Sequence, residues 1–422
     1  MKKKILFTVH RMNVGGVEKA MLSLMKALGP EYDIHLAIMF PEGDFMKAIP
    51  PYVSVHTIGG FTCERGLVTE PKREIPRRLL GLRWRTGIPA AWHYLKAHAA
   101  GSLNSYIRWL LRDNRPGGRF ADPVLDGEFD LAIDFPGPPG EHLEYYATQH
   151  VRAHRRCAWI HFDLDRVLFR MKSSRATYSS VDRVFCVSEN VLRQFREKFP
   201  EFAGKGRVLH NIVDREEILD LGREKSDYVP QQDALNIVTV GRLSPEKGTE
   251  SSLQALRYLA DHGHNVCWHF VGNSNSMETY RAMAGELGVE RLCRFYGPRL
   301  NPYPFMRGAD VYVQPSRHEG YGITVKEASL FGMPIVATDF PAAREELATS
   351  PNIIILPTPK AADAKASSLT DVEMGTSTDT PEEIAALAEA IIRASALPHL
   401  GEARGIREEN KELEELYRLL EG

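Results

Sequence analysis

Residues 311–338 read VYVQPSRHEGYGITVKEASLFGMPIVAT, and this stretch decides the fold of the second half of the chain. An apolar run at Val311–Val313 is followed by a glycine-containing loop, a helical pattern, and a second apolar run that starts at Pro334. Short apolar runs that alternate with helical patterns are typical of βαβ units, whose strands lie parallel in one sheet. The stretch therefore predicts a strand, a loop, a helix and a second parallel strand.

The same alternation continues through most of the chain and predicts two α/β domains in series. The apolar runs are Ile5–Val9, Ile34–Phe40, Leu131–Phe135, Cys157–Phe162 and Val184–Val187, then Ile237–Val240, Val266–Val271, Val311–Val313, Pro334–Ala337 and Ile353–Leu356. The polar residues 226–233 lack periodicity, as a linker would. We predict doubly wound, Rossmann-like domains at 1–205 and 206–402 and an amphipathic closing helix within 403–422, with the boundary between the domains inside roughly 205–235.

Two segments interrupt this alternation. Residues 61–120 contain twelve Lys and Arg against four acids, together with three of the five tryptophans. Residues 358–380 are rich in Ala, Ser, Thr and Asp, which predicts a flexible surface loop. Helical order is expected to resume at Thr380, since this residue can serve as an N-cap and Glu383 completes a capping box.

Composition excludes several classes of protein. A formal net charge of −2 over 422 residues argues against a general nucleic-acid binder, which is normally strongly basic. The N-terminus does not resemble a signal peptide, and no apolar run approaches the roughly 20 residues that span a bilayer. The five cysteines are scattered and never form a C-x-x-C pair, which predicts reduced core thiols in a cytoplasmic protein.

Two glycine-containing loops offer groups that bind anions. Gly15 and Gly16 follow the first predicted strand, so the backbone can pass close to a ligand and the next helix can point its free N–H groups at an anion. In the second half, Arg242 and Lys247 follow a strand and are flanked by Gly241 and Gly248. An arginine fork and a lysine at the carboxyl ends of parallel strands suit phosphate oxygens.

The third and strongest motif carries two glutamates. Glu319 is predicted in a loop, and Glu327 about one and a half turns into the helix that starts near Gly322. A loop carboxylate and a helix carboxylate at this spacing can grip two polyhydroxylated groups, such as a sugar and a ribose. The glycines keep the loop close enough for helix N-terminal amides to face a diphosphate.

These motifs resemble the Glu-x7-Glu signature and its flanking segments in retaining family-4 glycosyltransferases. The resemblance spans nearly the whole chain and is densest from 205 to 345. It is carried by Gly15-Gly16-Val17-Glu18, His210-Asn211-Ile212-Val213-Asp214, Gly241-Arg242, Lys247-Gly248, Val271-Gly272, Tyr296-Gly297, Ala309-Asp310, Pro315-Ser316 and the residues from Glu319 to Glu327. It implies the GT-B fold, in which two Rossmann-like domains face each other across a cleft, with an acceptor domain first and a nucleotide-sugar donor domain second.

The resemblance also implies roles for individual residues. Arg242 and Lys247 would bind the donor diphosphate, Glu327 the ribose hydroxyls and Glu319 the donor sugar, while His161 would lie beside that sugar. The residues expected to be catalytic are therefore Glu319, His161, Arg242 and Lys247. Those expected to bind the donor are Gly15, Gly16, Arg242, Lys247, Glu319, Gly320, Tyr321, Gly322, Ile323, Thr324 and Glu327.

For the chemistry, the resemblance implies front-face attack by an acceptor hydroxyl with retention of anomeric configuration. The leaving β-phosphate would take the proton, so no separate side-chain base is needed. A UDP- or GDP-sugar is then a substrate, and neither a cofactor nor a metal is expected. Asp163 and Asp165 form an Asp-x-Asp pair that can hold a metal in other glycosyltransferases, but such short strings are frequent.

The acceptor side leaves alternatives open. The basic, Trp-containing residues 61–120 favour contact with an anionic membrane at the inner face of the plasma membrane, or capture of a lipid-linked acceptor; an ordinary solvated helix pair is the alternative. The leading interpretation is a cytoplasmic transferase in surface polysaccharide or glycolipid synthesis. Other interpretations are an epimerase or phosphorylase-like enzyme of the same fold, or a non-catalytic partner subunit, although the presence of Glu319, Glu327, Arg242 and Lys247 argues against the last.

Overall fold

The computed structural model describes residues 2–58, 125, 127–137, 146–147, 151–165, 171–317, 319–340, 342–347, 350–358, 379–402 and 413–421. Its strands form two sheets, and every strand pair within them is parallel. The basic segment 61–120 and most of the predicted loop 358–380 lie outside the described residues, as do Cys63 and His318.

The first sheet has seven strands in the order β3-β2-β1-β4-β5-β6-β7. The strands are β1 (Lys4–Val9), β2 (Asp33–Ile38), β3 (Ser54–Thr57), β4 (Phe129–Asp134), β5 (Ala153–Ile160), β6 (Arg183–Cys186) and β7 (Gly206–Val208). Strand order reverses beside β1, where the loops after β1 and β4 diverge. In parallel α/β sheets such a point forms a crevice at the carboxyl ends of the strands.

The second sheet has six strands in the order β10-β9-β8-β11-β12-β13. They are β8 (Leu235–Val240), β9 (Val266–Val271), β10 (Cys293–Gly297), β11 (Val311–Gln314), β12 (Ile335–Thr338) and β13 (Ile353–Leu356). Here the order reverses between β8 and β11, so the loops after these two strands border the crevice of the second sheet.

Helices connect the strands of both sheets. They are α1 (Gly16–Leu28), α2 (Met171–Ser180), α3 (Glu189–Lys198), α4 (Arg215–Leu221), α5 (Thr249–Asp261), α6 (Met277–Glu286), α7 (Tyr303–Gly308), α8 (Ile323–Ser329), α9 (Ala343–Leu347), α10 (Pro381–Ser395) and α11 (Glu414–Glu421). Short 3₁₀ turns lie at Asp44–Ala48, Pro200–Lys205 and Pro245–Lys247. Among the described residues, no helix is both long enough and apolar enough to cross a membrane.

The central strands are buried on both faces, which explains their continuous apolar runs. All six residues of β9 are buried, and five of the six in β1. All ten predicted runs correspond to strands of the structure. The three strands that the periodicity did not predict, β3, β7 and β10, are edge strands with partly exposed side chains. A half-solvated edge strand needs no continuous apolar run, so these three went unpredicted, whereas the edge strand β13 was predicted because all four of its residues are apolar.

The capping box at the start of α10 is confirmed. The Thr380 hydroxyl accepts from the Glu383 backbone N–H at 3.2 Å, and the Glu383 carboxylate accepts from the Thr380 backbone N–H at 2.9 Å. Asp379, just before this cap, forms an ion pair with Arg317 at 2.6 Å. This ion pair joins the segment just before α10 to the loop that carries Glu319.

The closing helix α11 packs against the first domain. Leu413, Leu416, Leu419 and Leu420 are buried, as the predicted amphipathic spacing requires. Tyr417 stacks on Tyr32 with ring centroids 6.4 Å apart. The C-terminal end of the described chain thus lies against the N-terminal sheet.

Candidate active site

Glu319 lies in the loop after β11, and several groups hold its carboxylate. Lys247 Nζ lies 2.7 Å from Glu319 Oε1, in an ion pair whose side chains are 19% and 14% exposed. Gln314 Nε2 and Ser316 Oγ donate to the same oxygen at 3.0 and 3.1 Å. The structure therefore brings together two predicted site residues that are 72 positions apart in the sequence.

The approach of Lys247 depends on Gly248. This residue has a φ of +71°, and a Cβ on it would lie 2.2 Å from the Pro315 carbonyl oxygen. The turn Pro245–Lys247 therefore packs directly against the start of the Glu319 loop. A larger residue at position 248 would force the two loops, and with them the ion pair, apart.

Glu327 lies in the second turn of α8 and is fully buried. Its Oε1 oxygen lies 2.6 Å from Lys19 Nζ and accepts a hydrogen bond from the Tyr303 hydroxyl at 3.3 Å. Its Oε2 oxygen is buried and has no hydrogen-bond partner among the described residues. A buried carboxylate oxygen without a donor is costly, which is typical of a site that a ligand completes.

Arg242 is separate from these two glutamates. Its guanidinium pairs with Glu246, four residues along the same loop, and its side chain is 61% exposed. An exposed pair of this kind is weak, about 0–1 kcal/mol, so Arg242 can change partner at little cost. The structure thus places Arg242 at the rim of the loop rather than on the carboxylates that Lys247 and Lys19 contact.

The first domain contributes the start of α1. Gly15 is its N-cap and Gly16 its first residue. A Cβ on Gly16 would lie 3.5 Å from Ile323 Cγ2, so α1 and α8 begin close together across the cleft. Burial raises the pKa of Glu18 in the first turn of α1. The starts of these two helices therefore lie beside each other between the domains.

His161 follows β5 and lies against the Glu319 loop. A Cβ on Gly320 would lie 2.0 Å from the His161 carbonyl oxygen, so the two backbones are in direct contact. His161 Nε2 donates to the Phe135 carbonyl oxygen at 2.9 Å, which leaves Nδ1 as the acceptor of a neutral ring. Burial lowers the pKa of His161 to about 3. The side chain is therefore neutral at physiological pH.

The remaining predicted donor residues surround the start of α8. Gly322 is the N-cap of this helix and Ile323 its first residue. Tyr321 is buried, and its hydroxyl accepts from Lys326 Nζ at 2.8 Å. Thr324 is half-buried in the first turn. The predicted motif thus forms one continuous loop and helix start at the carboxyl end of β11.

The carboxylates of the Asp-x-Asp string have protein partners. Gln194 Nε2 donates to Asp163 Oδ1 and to Asp165 Oδ2, at 2.9 Å each. Lys198 Nζ also lies 2.8 Å from Asp165. Within the described ranges, no three His, Cys, Asp or Glu side chains gather closely enough to hold a metal ion.

Sequence reasoning missed Lys19 and Tyr303, which both contact Glu327. Lys19 directly follows the quoted Gly15-Gly16-Val17-Glu18 motif, one helical turn after Gly15, so its place near the cleft could have been inferred. Burial and the neighbouring Glu327 charge raise the pKa of Tyr303, which keeps its hydroxyl a donor. Nothing in the local sequence around Tyr303 indicates that contact.

Comparison with known protein sequences matches the second half of the chain. Residues 223–382 match the family model described as glycosyl transferases group 1. D-inositol 3-phosphate glycosyltransferase of Corynebacterium glutamicum is 35% identical over 109 residues, which cover 24% of this chain and 26% of that protein. Lipopolysaccharide glucosyltransferase WaaG of Escherichia coli is 29% identical over 119 residues, which cover 28% and 31%. The chain thus spans 26% to 31% of the length of these relatives.

Comparison with solved structures covers nearly the whole chain. The crystal structure of Anabaena HepE in complex with UDP has a TM-score of 0.55 and 17% sequence identity, over 94% of each chain. At this level of identity the similarity establishes the fold, and the chemistry has to be inferred from the residues of the site. The predicted fold, two Rossmann-like domains facing across a cleft in the GT-B arrangement, is therefore confirmed, and residues 223–382 match the glycosyl transferases group 1.

Proposed function

We propose that the chain is a retaining glycosyltransferase that moves a sugar from a UDP- or GDP-sugar to a hydroxyl of a glycan or lipid-linked acceptor. One observation carries this proposal. Glu319 and Glu327 each contact a lysine, at 2.7 and 2.6 Å, near the starts of α1 and α8, which lie close together across the cleft. Paired carboxylates suit hydroxyl groups, and the lysines and helix amides suit a diphosphate between them.

In this proposal the donor lies along the loop from Glu319 to Glu327. The ribose hydroxyls donate to Glu327, whose Oε2 oxygen is buried without a partner among the described residues. The donor sugar lies beside Glu319, and the diphosphate between them faces Lys247 and the amides at the starts of α1 and α8. Arg242 turns from its exposed pair with Glu246 toward a phosphate oxygen.

The reaction requires no protein nucleophile. The acceptor oxygen forms a bond to the anomeric carbon on the face that the leaving phosphate occupies, and the bond from that carbon to the phosphate oxygen breaks. The acceptor proton passes to the departing β-phosphate. Lys247, Arg242 and the helix amides stabilise the negative charge that develops there. Since the His161 ring is neutral, its Nδ1 can accept a hydrogen bond from a hydroxyl of the donor sugar, and the ring does not act as a general acid.

The nature of the acceptor is part of the same proposal. Two of the relatives are named for D-inositol 3-phosphate and for lipopolysaccharide, which are both polyhydroxylated and anionic. The predicted basic segment 61–120, outside the described residues, would bring a lipid-linked acceptor or an anionic membrane surface to the first domain. We therefore propose a role in surface polysaccharide or glycolipid synthesis at the cytoplasmic side of the membrane.

A thermal-shift and hydrolysis screen tests the donor site. The purified chain is mixed with UDP-, GDP- and ADP-sugars, with and without EDTA. A ligand that binds only the native state stabilises it by about 2.7 kcal/mol at a concentration 100 times Kd. We expect one nucleotide class to raise the Tm in EDTA, and the rise to disappear in Glu327→Ala and Arg242→Ala. No response to any nucleotide sugar would overturn the donor site, and a response abolished by EDTA would overturn its metal independence.

A further inference from the structure

Lys19 connects the two domains through a largely buried ion pair. It lies one turn into α1 of the first domain, and its partner Glu327 lies on α8 of the second. The Lys19 and Glu327 side chains are 22% and 1% exposed. Removing one partner of such a pair leaves the other charge buried and uncompensated, which makes the contact far more consequential than a surface ion pair.

The contact is held in one geometry. Lys19 Nζ lies 4.4 Å from the centre of the Tyr303 ring, and the Tyr303 hydroxyl donates to the same Glu327 oxygen that Lys19 contacts. One turn earlier, Gly16 meets Ile323, which fixes where α1 approaches α8. The ammonium is therefore bound by a carboxylate and an aromatic face at once.

This arrangement treats the two Glu327 oxygens differently. Oε1 forms an ion pair with Lys19 and accepts a hydrogen bond from the Tyr303 hydroxyl. Oε2 is buried without a hydrogen-bond partner among the described residues. A buried ionised carboxylate needs donors on both oxygens, so Oε2 is suited to a hydroxyl supplied from outside the protein.

We propose that Lys19 is a positioning residue of the donor site: it crosses the cleft to hold the Glu327 carboxylate in one orientation, with Oε1 occupied and Oε2 presented to a ribose hydroxyl. This inference rests on the proposed function and deepens it. Because the ammonium comes from the first domain and the carboxylate from the second, recognition of the ribose requires both domains to be in contact. The nucleoside is then bound tightly only in the closed cleft.

The same helix offers a matched control. Lys26 lies further along α1 and pairs with Glu217 on α4, the helix that comes after the last strand of the first sheet. These side chains are 38% and 41% exposed, so the pair resembles the Lys19 contact in charge but not in burial. A general loss of positive charge from α1 would affect both lysines alike.

Calorimetric titration tests the proposal. UDP, GDP and ADP are titrated into the wild-type chain, and the one that binds is compared with its 2′-deoxy and 3′-deoxy forms. The same ligands are titrated into Lys19→Met, Lys19→Arg and Lys26→Met. We expect Lys19→Met to weaken binding of the ribonucleotide about 10–100-fold, the range for a lost hydrogen bond to a charged group. Lys19→Arg should recover most of this loss, and Lys26→Met should stay within about 2-fold of the wild type.

The deoxy ligands separate positioning from a merely structural effect. In the wild type, at least one deoxy form should bind more weakly than the ribonucleotide. In Lys19→Met that difference should largely vanish, because Glu327 is no longer held for the hydroxyl, so the two changes are not additive. Equal loss for ribo and deoxy ligands, or no loss at all, would overturn the role of Lys19.

Two further outcomes are distinguishable. If the wild type binds none of the three nucleotides, the proposed function itself fails, and the inference with it. If Lys19→Met does not melt cooperatively, the cycle is run with Glu327→Gln, which keeps the side-chain volume and removes the charge. Glu327→Gln should likewise bind ribo and deoxy forms alike, and a retained preference for the ribonucleotide would overturn the proposal.

Discussion

At the scale of single residues, the site consists of carboxylates that the protein itself neutralises. Glu319 has Lys247 and Glu327 has Lys19, whereas the exposed Arg242 pairs with Glu246. The sequence predicts that the charged residues at 242, 247, 319 and 327 belong to a ligand site, because they lie in segments that follow predicted strands. The carboxyl ends of parallel strands are where ligands bind in such sheets. The pairing of these charges could not be predicted, because no spacing along the chain reveals which charges meet across a cleft.

Replacing Glu319 with Gln should impair catalysis more than stability. The variant keeps the side-chain volume but removes the negative charge that pairs with Lys247. The Lys247 ammonium can then move away from the side chain at position 319. We expect kcat to fall about 100-fold, since positioned electrostatic groups contribute on this scale. Steady-state kinetics with the donor found in the screen would measure it. Asp261→Asn, which removes one carboxylate from an exposed pair with Arg257, should change kcat little, and equal losses in both variants would contradict the assignment.

The buried His269 predicts a loss of stability in acid. Its Nε2 and Nδ1 bond Asn236 and Tyr296, and burial lowers its pKa to about 4. Between this value and the unfolded value of about 6.5, the unfolded chain binds a proton that the folded chain does not. The free energy of unfolding should therefore fall as pH drops below about 6.5. Urea titrations between pH 7 and 4.5 should show a shallower dependence in His269→Gln, and an unchanged slope would contradict the prediction.

At the scale of elements, a strand is predicted from the sequence when its residues form a continuous apolar run. Strands such as β1 and β9 lie between other strands and under helices, so their apolar runs predict them. The edge strands β3 and β10 have partly exposed residues, and they are recognised only from their pairing with a neighbouring strand in the structure. Capping at Thr380 is wholly local and was therefore predicted in detail, including both hydrogen bonds.

The loop that carries Glu319 depends on backbone contact with the end of β5. A Cβ on Gly320 would lie 2.0 Å from the His161 carbonyl oxygen, a backbone atom that cannot move aside alone. Gly320→Ala should therefore lower stability by about 1–3 kcal/mol and displace the loop. Thermal unfolding and donor titration would measure both effects.

Gly285 provides the opposite case for the same substitution. It lies within α6, and a Cβ there would meet nothing within 4 Å. Gly285→Ala should therefore stabilise the chain by about 0.5–1 kcal/mol and leave donor binding unchanged. Similar destabilisation by the two substitutions would show that the contact between Gly320 and His161 is not what matters.

At the scale of the whole molecule, contacts between the domains surround the proposed donor site. One apolar cluster runs from the first sheet to Tyr321 and Ile323 of the second domain. On another side, Glu345 of α9 accepts from the backbone N–H groups of Glu189 and Asn190 at 2.9 Å each. A carboxylate of one domain thus caps helix α3 of the other, which favours the closed arrangement.

Glu345→Gln should make the open arrangement more accessible. A charge at a helix N-terminus contributes about 0.3–1 kcal/mol, so we expect the KM for the donor to rise roughly 2–5-fold while kcat at saturation changes little. Small-angle scattering without ligand should show a larger radius of gyration than in the wild type. Glu389→Gln, at an exposed position of α10, serves as the control. A variant with unchanged scattering and KM would show that this contact does not hold the domains together.

The anomeric configuration of the product distinguishes transfer of a sugar with retention from transfer with inversion. The chain is incubated in EDTA with the nucleotide sugar found in the screen, and the anomeric proton of the first sugar product is followed by NMR before mutarotation. We expect turnover that depends on Glu319 and yields the same anomeric configuration as in the donor. An inverted product, or no turnover with any bound nucleotide sugar, would contradict it.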